Sequence, residues 1–472
     1  MRTIGIDLGI SAGHKAVVAN DQAQFITPVM GLRTDPADLE RLMRRARAGT
    51  DENEALQVVM EPTGLSWVPV ASYFIQRGVT VYLVSTQQVH DLRKFYSKHA
   101  KSDRISARVL VRWPWVNPEA LQPLRMTPAD YLSGQRWCKQ QDELSEQISA
   151  IKNRVQAWER AFWPGLKAAV GNPLAPWMRR WREVCYDPWE LQAIETEHLA
   201  TLLADAGADP DEALELARGL KTVARRAVGL YGAPEGGVSP HVDYAALQDQ
   251  VVRELRLLTR LEAEHQAVRE QVQRLYRRMH PSRDLESLRG VGEDGAAVYF
   301  FFVAQVERFG LQKQFRSWSG LIPGSDQSGD TEKKGVRITK AGPDLVKKYA
   351  YINADVGRQW DPQLAAVYYD QMMHKGKHHC QAVCCCATHL LDRVRAVLRD
   401  GRPYQLRDVD GTPVTRQQAR QIVLERYQVP DEVRRRRSHQ ARKHRRDRQA
   451  ERKQKRRSRQ VSERLTPQSH LS

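Results

Sequence analysis

No stretch of this 472-residue chain approaches the roughly 18 consecutive apolar residues of a membrane span. Its first residues run straight into Ile4-Gly5-Ile6-Asp7 without the apolar core of a secretion signal, so a soluble, unprocessed, cytoplasmic protein with no membrane partner is expected. Paired C-x-x-C cysteines are missing too. Six cysteines occur, and four of them (Cys380, Cys384, Cys385, Cys386) crowd into one segment, which argues against a disulfide scaffold. A zinc site made of these thiols with His374, His378, His379 and His389 is disfavoured, because consecutive cysteines fan around a helix and cannot all face one ion. There is no internal repeat. Although Gly5-Ile6-Asp7-Leu8-Gly9 also opens actin-like ATPases and sugar kinases, such a fold needs later D-x-G phosphate loops at strand turns, and the sequence has no convincing set of them.

What is abundant is positive charge, and it is uneven. The net charge is +18, and Arg434 to Arg459 holds fifteen Lys and Arg against Asp447 and Glu451, leaving only +5 for the rest. Such a run, which includes Arg434, Arg435, Arg436 and Arg437, releases counterions from a phosphate backbone and adds affinity without base specificity. The bland alternative is a disordered solubilising tail.

The chain is long enough for two or three domains. Thr3 to Asp7, His14 to Ala19 and Gln24 to Thr27 read as a three-strand meander. An amphipathic helix over Pro36 to Arg47 follows, then a continuous apolar strand from Ala55 to Met60, a helix over about Trp67 to Gln76, and a strand from Val79 to Val84. That order predicts a ribonuclease-H-like mixed sheet with helices on its faces, over about 1–120. The next helix, beginning near Gln87, is expected to carry Lys101 to Ala107. Residues 121–280 turn helical. Leu144, Ile148, Ile151 and Val155 share one face, and Leu247, Val251, Leu255, Leu258 and Leu261 share another, predicting an antiparallel coiled coil or a dimerising arm around a Trp-rich helical insert at about 160–242. A mainly helical domain follows over 281–405, where Gly290-Val291-Gly292 resembles a helix-hairpin-helix turn, and then a basic tail over 406–472. The fold class is thus α/β plus all-α.

Asp7 and Glu61 each close an apolar strand, and Asp103 stands at the head of a helical segment with Ser106 three residues on, on the same face. Singly, each acid has an ordinary reading as a turn former or helix cap. Together, carboxylates at neighbouring strand ends can converge on divalent ions that activate an attacking oxygen and stabilise a leaving one, the requirement for cutting a phosphodiester. Far downstream Ser328-Gly329 lies in a polar loop, followed by Lys333, Lys334, Arg337 and Lys340, whose charges can hold a scissile phosphate. Ser325 is a competing serine. A serine hydroxyl is a weak nucleophile and needs a base or metal to activate it.

Gly-Ile-Asp-Leu-Gly at 5–9, Glu-Pro-Thr-Gly at 61–64 and Lys-Ser-Asp-Arg-Ile-x-Ala at 101–107 resemble the N-terminal motifs of the insertion-sequence one-ten family, the DEDD transposases with a RuvC-like domain. Leu-x-Gly-Val-Gly at 288–292, Gly-Leu-Ile-Pro at 320–323, Ser-Gly at 328–329, Arg-Ile-Thr-Lys-x-Gly at 337–342 and Tyr368 through Lys375-Gly376-Lys377 match its C-terminal half, so the similarity covers about 1–400. The resemblance implies a DNA transposase or recombinase acting on donor and target DNA. Asp7, Glu61 and Asp103 would be metal ligands for Mg²⁺ or Mn²⁺, Ser328 the nucleophile, and a structured RNA of the element the guide. Strand exchange further implies a homo-oligomer, a dimer or tetramer, in a prokaryotic, nucleoid-associated setting. One position departs from the pattern: Ser106 stands where the family has Asp. A hydroxyl ligates Mg²⁺ weakly and without charge, so Ser106 is a weak or absent ligand, and a catalytically silent RNA- or DNA-binding protein is the alternative reading.

Overall fold

A computed structural model describes residues 1–10, 13–50, 54–96, 103–232, 241–324, 327–328, 331–332, 336, 338–339, 341–443, 446–447 and 449–450. The chain divides into two compact units, Met1–Thr127 and Pro128–Ser472.

In the first unit, β1 (Arg2–Asp7), β2 (His14–Ala19) and β3 (Met30–Leu32) form an antiparallel meander. Helix α1 (Pro36–Arg47), N-capped by the Asp35 carboxylate, crosses to β4 (Leu56–Met60), and α2 (Trp67–Ile75) leads to β5 (Thr80–Leu83). The sheet order is β3-β2-β1-β4-β5, with β1, β4 and β5 parallel. This is the mixed sheet expected of the ribonuclease-H-like order. The third strand, however, is Met30–Leu32 and not Gln24–Thr27; the latter segment makes only a short bridge through Phe25 to Ala19. Side chains alternate across the strands. Ile4 and Ile6 enter a core with Leu39, Leu42, Val70 and Phe74, while Gly5 and Val59 face the other side.

That other side is covered by α4 (Asp103–Val116), which follows α3 (Thr86–Tyr96). In place of the single helix expected from Gln87 through Ala107, the described residues form two, and Lys101 and Ser102 lie outside them. Ala107 and Val111 of α4 pack on Val17 and Ala19, and Leu110 and Trp113 on Val59, Val84 and Val89.

The second unit is helical. Helix α5 (Ala129–Phe162) leads into α6 (Leu166–Val170), α7 (Pro176–Val184), α8 (Pro188–Ala193), α9 (Thr196–Asp205) and α10 (Pro210–Tyr231), and α11 (Tyr244–Met279) returns along α5. The pairing is antiparallel, as Arg154–Glu254 at 2.7 Å and Ser145–His265 at 2.9 Å show, since one residue number rises as the other falls. The apolar stripes expected of an arm are thus buried against each other within one chain, so any contact between copies must use other faces of these helices. The insert has its own core of Trp163, Trp181, Tyr186, Leu199 and Leu220, continuous with Ile151, Val251 and Leu255.

Beyond the arm lie α12 (Glu293–Val303), α13 (Gln312–Ser319), the hairpin β6 (Gln327–Ser328) and β7 (Thr331–Glu332), then α14 (Asp344–Gly357), α15 (Pro362–Met373), α16 (His379–Asp400) and α17 (Arg416–Arg426). Their core includes Cys138 and Tyr276 from the arm. The Gly290-x-Gly292 turn is pressed against the α14 backbone at Gly357, and the first turn of α12 carries Glu293 and Asp294, paired with Arg277 and Arg269. Two carboxylates already occupy that helix start, so the helix-hairpin-helix reading as a phosphate contact is replaced by a packing role. The cysteines of α16 do diverge: Cys386 is buried, where desolvation pushes its thiol up to about 12, whereas Cys380 is exposed. The segment read as tail is ordered in part, with α17 and a helical stretch at 431–443 whose Arg437 lies beside Gly376.

Candidate active site

The sheet fixes two of the expected carboxylates. Ile6 pairs with Met60 in the parallel register of β1 and β4, so Asp7 and Glu61, one residue further on, stand at adjoining strand ends about 5 Å apart in backbone. Asp7 shares the side of the sheet occupied by Gly5, and Glu61 that of Val59, which is the α4 side. Both are half-buried.

The third expected carboxylate, Asp103, belongs to the first residue of helix α4. The indole of Trp115, near its C-terminus, donates to the Asp21 carbonyl at 2.9 Å, and Asp21 lies just past Ala19, which is opposite Thr3 at the start of β1. Therefore α4 runs antiparallel to β1, and its first turn hangs over the end where Asp7 and Glu61 sit. The crossing is close only because residue 5 is glycine: a Cβ there would lie 2.5 Å from the Ala107 carbonyl oxygen and 2.6 Å from the Val111 nitrogen. From Gly5 to Asp7 is about 7 Å along the strand, and from Ala107 back to Asp103 about 6 Å along the helix, so their backbones end at one level. Ser106 is on the buried side of this turn, 5% exposed.

His14, which sequence reading passed over, shapes the loop after Asp7. It is buried at the start of β2, its Nδ1 accepts from the Gly9 N–H at 3.1 Å, and its Nε2 faces the Thr34 hydroxyl at 2.7 Å. Burial pushes its pKa down, and the neutral ring protonated on Nε2 satisfies both partners. Nothing in a lone histidine at a strand start announces this role.

Ser328 belongs to the second unit, in β6, directly opposite Thr331 of β7. The base of its loop is pinned: Gly320 (φ 70°) and Gly342 (φ 71°) press backbone to backbone, and Pro323 bridges to Ile338. A side chain at either glycine would collide with the opposite strand of the neck. Ser325, Lys333, Lys334, Arg337 and Lys340 lie outside the described residues, as does the side chain of Asp103. Of the basic run, Arg434, Arg435 and Arg436 are exposed on the 431–443 helix and Arg437 is half-buried.

The donor set near β1 is made of hard carboxylate oxygens, the chemistry that suits Mg²⁺ or Mn²⁺. Asp7 and Glu61 would hold the ion together with Asp103, and Ser106 could add a neutral oxygen at most.

Comparison with known proteins places the chain among transposases. Residues 4–164 match the transposase model of the IS110 DEDD domain, and residues 282–369 match the transposase IS116/IS110/IS902 family. An IS110 insertion-element protein of Streptomyces coelicolor, described as an uncharacterized 43.6 kDa protein, is 23% identical over 411 residues, covering 86% of this chain and 96% of the relative. The fold and the two matches define a transposase of insertion elements. The chain belongs to the IS110 family. Membership implies DNA as substrate and strand cleavage and transfer as the general activity, with a divalent metal typical of the DEDD domain. Among the described residues no helix is long and apolar enough to cross a membrane.

Proposed function

We propose that the protein cuts and rejoins DNA strands by a Mg²⁺-dependent carboxylate site of Asp7, Glu61 and Asp103 working with Ser328 as nucleophile, guided by a structured RNA of its element. The observation that carries this is the adjoining position of Asp7 and Glu61 at the parallel β1–β4 ends, with α4 running antiparallel over them. Bound there, a divalent ion would supply charge stabilisation to a phosphodiester in transition. The serine hydroxyl would give up its proton as its oxygen bonds to phosphorus, and a DNA hydroxyl would depart. The resulting phosphoserine ester keeps the bond energy, so rejoining needs no nucleotide cofactor. Lys333, Lys334, Arg337 and Lys340 would hold the phosphate, and the four arginines at 434–437 would add backbone affinity. The four regions bounded at about 120, 280 and 405 would act as catalytic domain, arm, serine domain and basic tail, and an oligomer would supply several sites to two duplexes.

Asp7→Ala and Ser328→Ala are each expected to abolish strand exchange and the covalent protein–DNA adduct, by roughly a thousand-fold or more, as losses of metal ligands and nucleophiles do. Gel detection of the adduct with supplied donor DNA, RNA and Mg²⁺ tests this. Full activity in either variant rejects the two-part site.

Ser106 favours a second reading, a silent nucleic-acid-binding protein on the same scaffold, because the buried position one turn from Asp103 lacks a charge. An adduct in the wild-type protein eliminates it. If the chain is active, Ser106→Asp is expected to lower the Mg²⁺ concentration needed for half-maximal cleavage; an unchanged requirement would show that no fourth acid is needed.

A further inference from the structure

The buried side of α4 faces the sheet, but its outer side carries a set of residues that packing does not explain. Arg108, Arg112 and Trp115 recur at helical spacing on that side. Arg112 lies over two rings at once, 4.9 Å from the centre of Phe25 and 4.8 Å from that of Tyr96, and Arg108 lies 5.4 Å from Phe25. Phe95 joins the chain of contacts edge-on to Tyr96 at 5.2 Å. These rings are not core: Phe95 is 80% exposed, Tyr96 42%, Trp115 37% and Phe25 36%. Among the described residues neither arginine is paired with a carboxylate. A continuous exposed surface of aromatic rings interleaved with unneutralised guanidiniums complements both parts of an unpaired nucleic-acid strand, since each base offers a π-face and each phosphate a charge.

We infer that this face of α4 and the end of α3 form a stacking platform for a single DNA strand opened near the cleavage site. The inference rests on the proposed nucleic-acid chemistry of the first unit and adds where a strand is held: on the side of α4 away from the buried Ser106. Base pairing in a duplex hides the π-faces, so the platform discriminates against double strands. The basic run at the other end of the chain does not, because it reads only phosphate.

The test uses the full-length protein and the variant Phe95→Ala, at an exposed position. Anisotropy is measured with short oligothymidylate, oligouridylate, an abasic strand of equal length and a duplex. The variant should bind the base-bearing strands roughly ten-fold more weakly, as expected for the loss of one stacked base, and the abasic strand and duplex as before. A loss confined to oligouridylate would make the occupant RNA and overturn the inference, whereas one confined to oligothymidylate supports it. Equal affinity of variant and wild type for all four overturns the inference, as does dissociation of an oligomer with binding unchanged, which would make the face a protein interface. Binding is read without cleavage, so Asp7→Ala should leave it intact, and failure of the proposed catalytic site would not be mistaken for failure of the platform.

Discussion

Gly5→Ala is expected to slow strand cleavage about a hundred-fold although residue 5 carries no reactive atom. The added methyl would sit 2.5 Å from the Ala107 carbonyl oxygen and 2.6 Å from the Val111 nitrogen, both backbone atoms that cannot rotate away. Overpacking of this kind costs about 1–3 kcal/mol where the surroundings can shift. Here the element that must shift is α4, whose first turn hangs over the strand ends of the proposed site, and displacement by an ångström is enough to cost a catalytic arrangement about a hundred-fold in rate. The variant should therefore fold with a lower melting temperature, keep its helical circular dichroism, and lose cleavage out of proportion to its stability. Wild-type cleavage in Gly5→Ala would mean that the α4–β1 crossing does not set the site.

The second large effect is expected far from the carboxylates. Glu159, at the end of α5, and Arg182 of α7 are both buried, and the guanidinium donates to Glu159 Oε1 at 2.6 Å and to the Pro173 carbonyl at 2.7 Å. The Tyr186 hydroxyl also faces Glu159, at 3.4 Å, and Trp163 and Trp181 close the pocket. Burial pushes the Glu159 carboxyl up while Arg182 opposes the shift, so the guanidinium is what keeps an acid acceptable there. Glu159→Ala leaves a buried cation without its counterion and should destabilise the second unit by about 3–5 kcal/mol, whereas replacing both partners, Glu159→Met with Arg182→Met, should recover much of that loss. Denaturant titration followed by tryptophan fluorescence reads the difference, because the rings of Trp163 and Trp181 are 5.7 Å apart in the same pocket. A single variant as stable as wild type would show that the pair contributes nothing.

Much of the first unit was legible because its strands announce themselves. Ala55 to Met60 is apolar apart from Gln57 and ends on Glu61, and such a run suits a strand buried on both faces. The third strand was misplaced because an edge strand of three residues, Met30–Leu32, has too little pattern to outweigh the β-rich Gln24 to Thr27 beside it. Likewise, Asp7 and Glu61 were readable as residue types at strand ends, but the direction of α4 was not, since it depends on a contact between Trp115 and Asp21 across 94 residues. Gly5 could be quoted as part of a motif without its purpose, a backbone crossing that only three dimensions supply. The order within 406–443 was masked by arginines: apart from Ala419 and Val423, little of α17 is buried, so its sequence reads like the solvated run that follows.

The insert between α5 and α11 has a consequence for how the chain reaches its fold. Residues that meet along these two helices lie up to 148 apart in sequence, and pairing them from an open chain would first have to close a long loop. The insert draws its own ends together, with Trp163 and Tyr244 in ring contact at 6.2 Å. Closing about 80 residues costs about 4 kcal/mol of chain entropy, a cost that formation of the insert's own core can offset locally. Once that clasp exists, each further turn of α5 against α11 adds contacts between segments already side by side, so the pair can zip from its far end toward the domain that bears the serine. Order of assembly, as well as final stability, is then set in the tryptophan-rich segment.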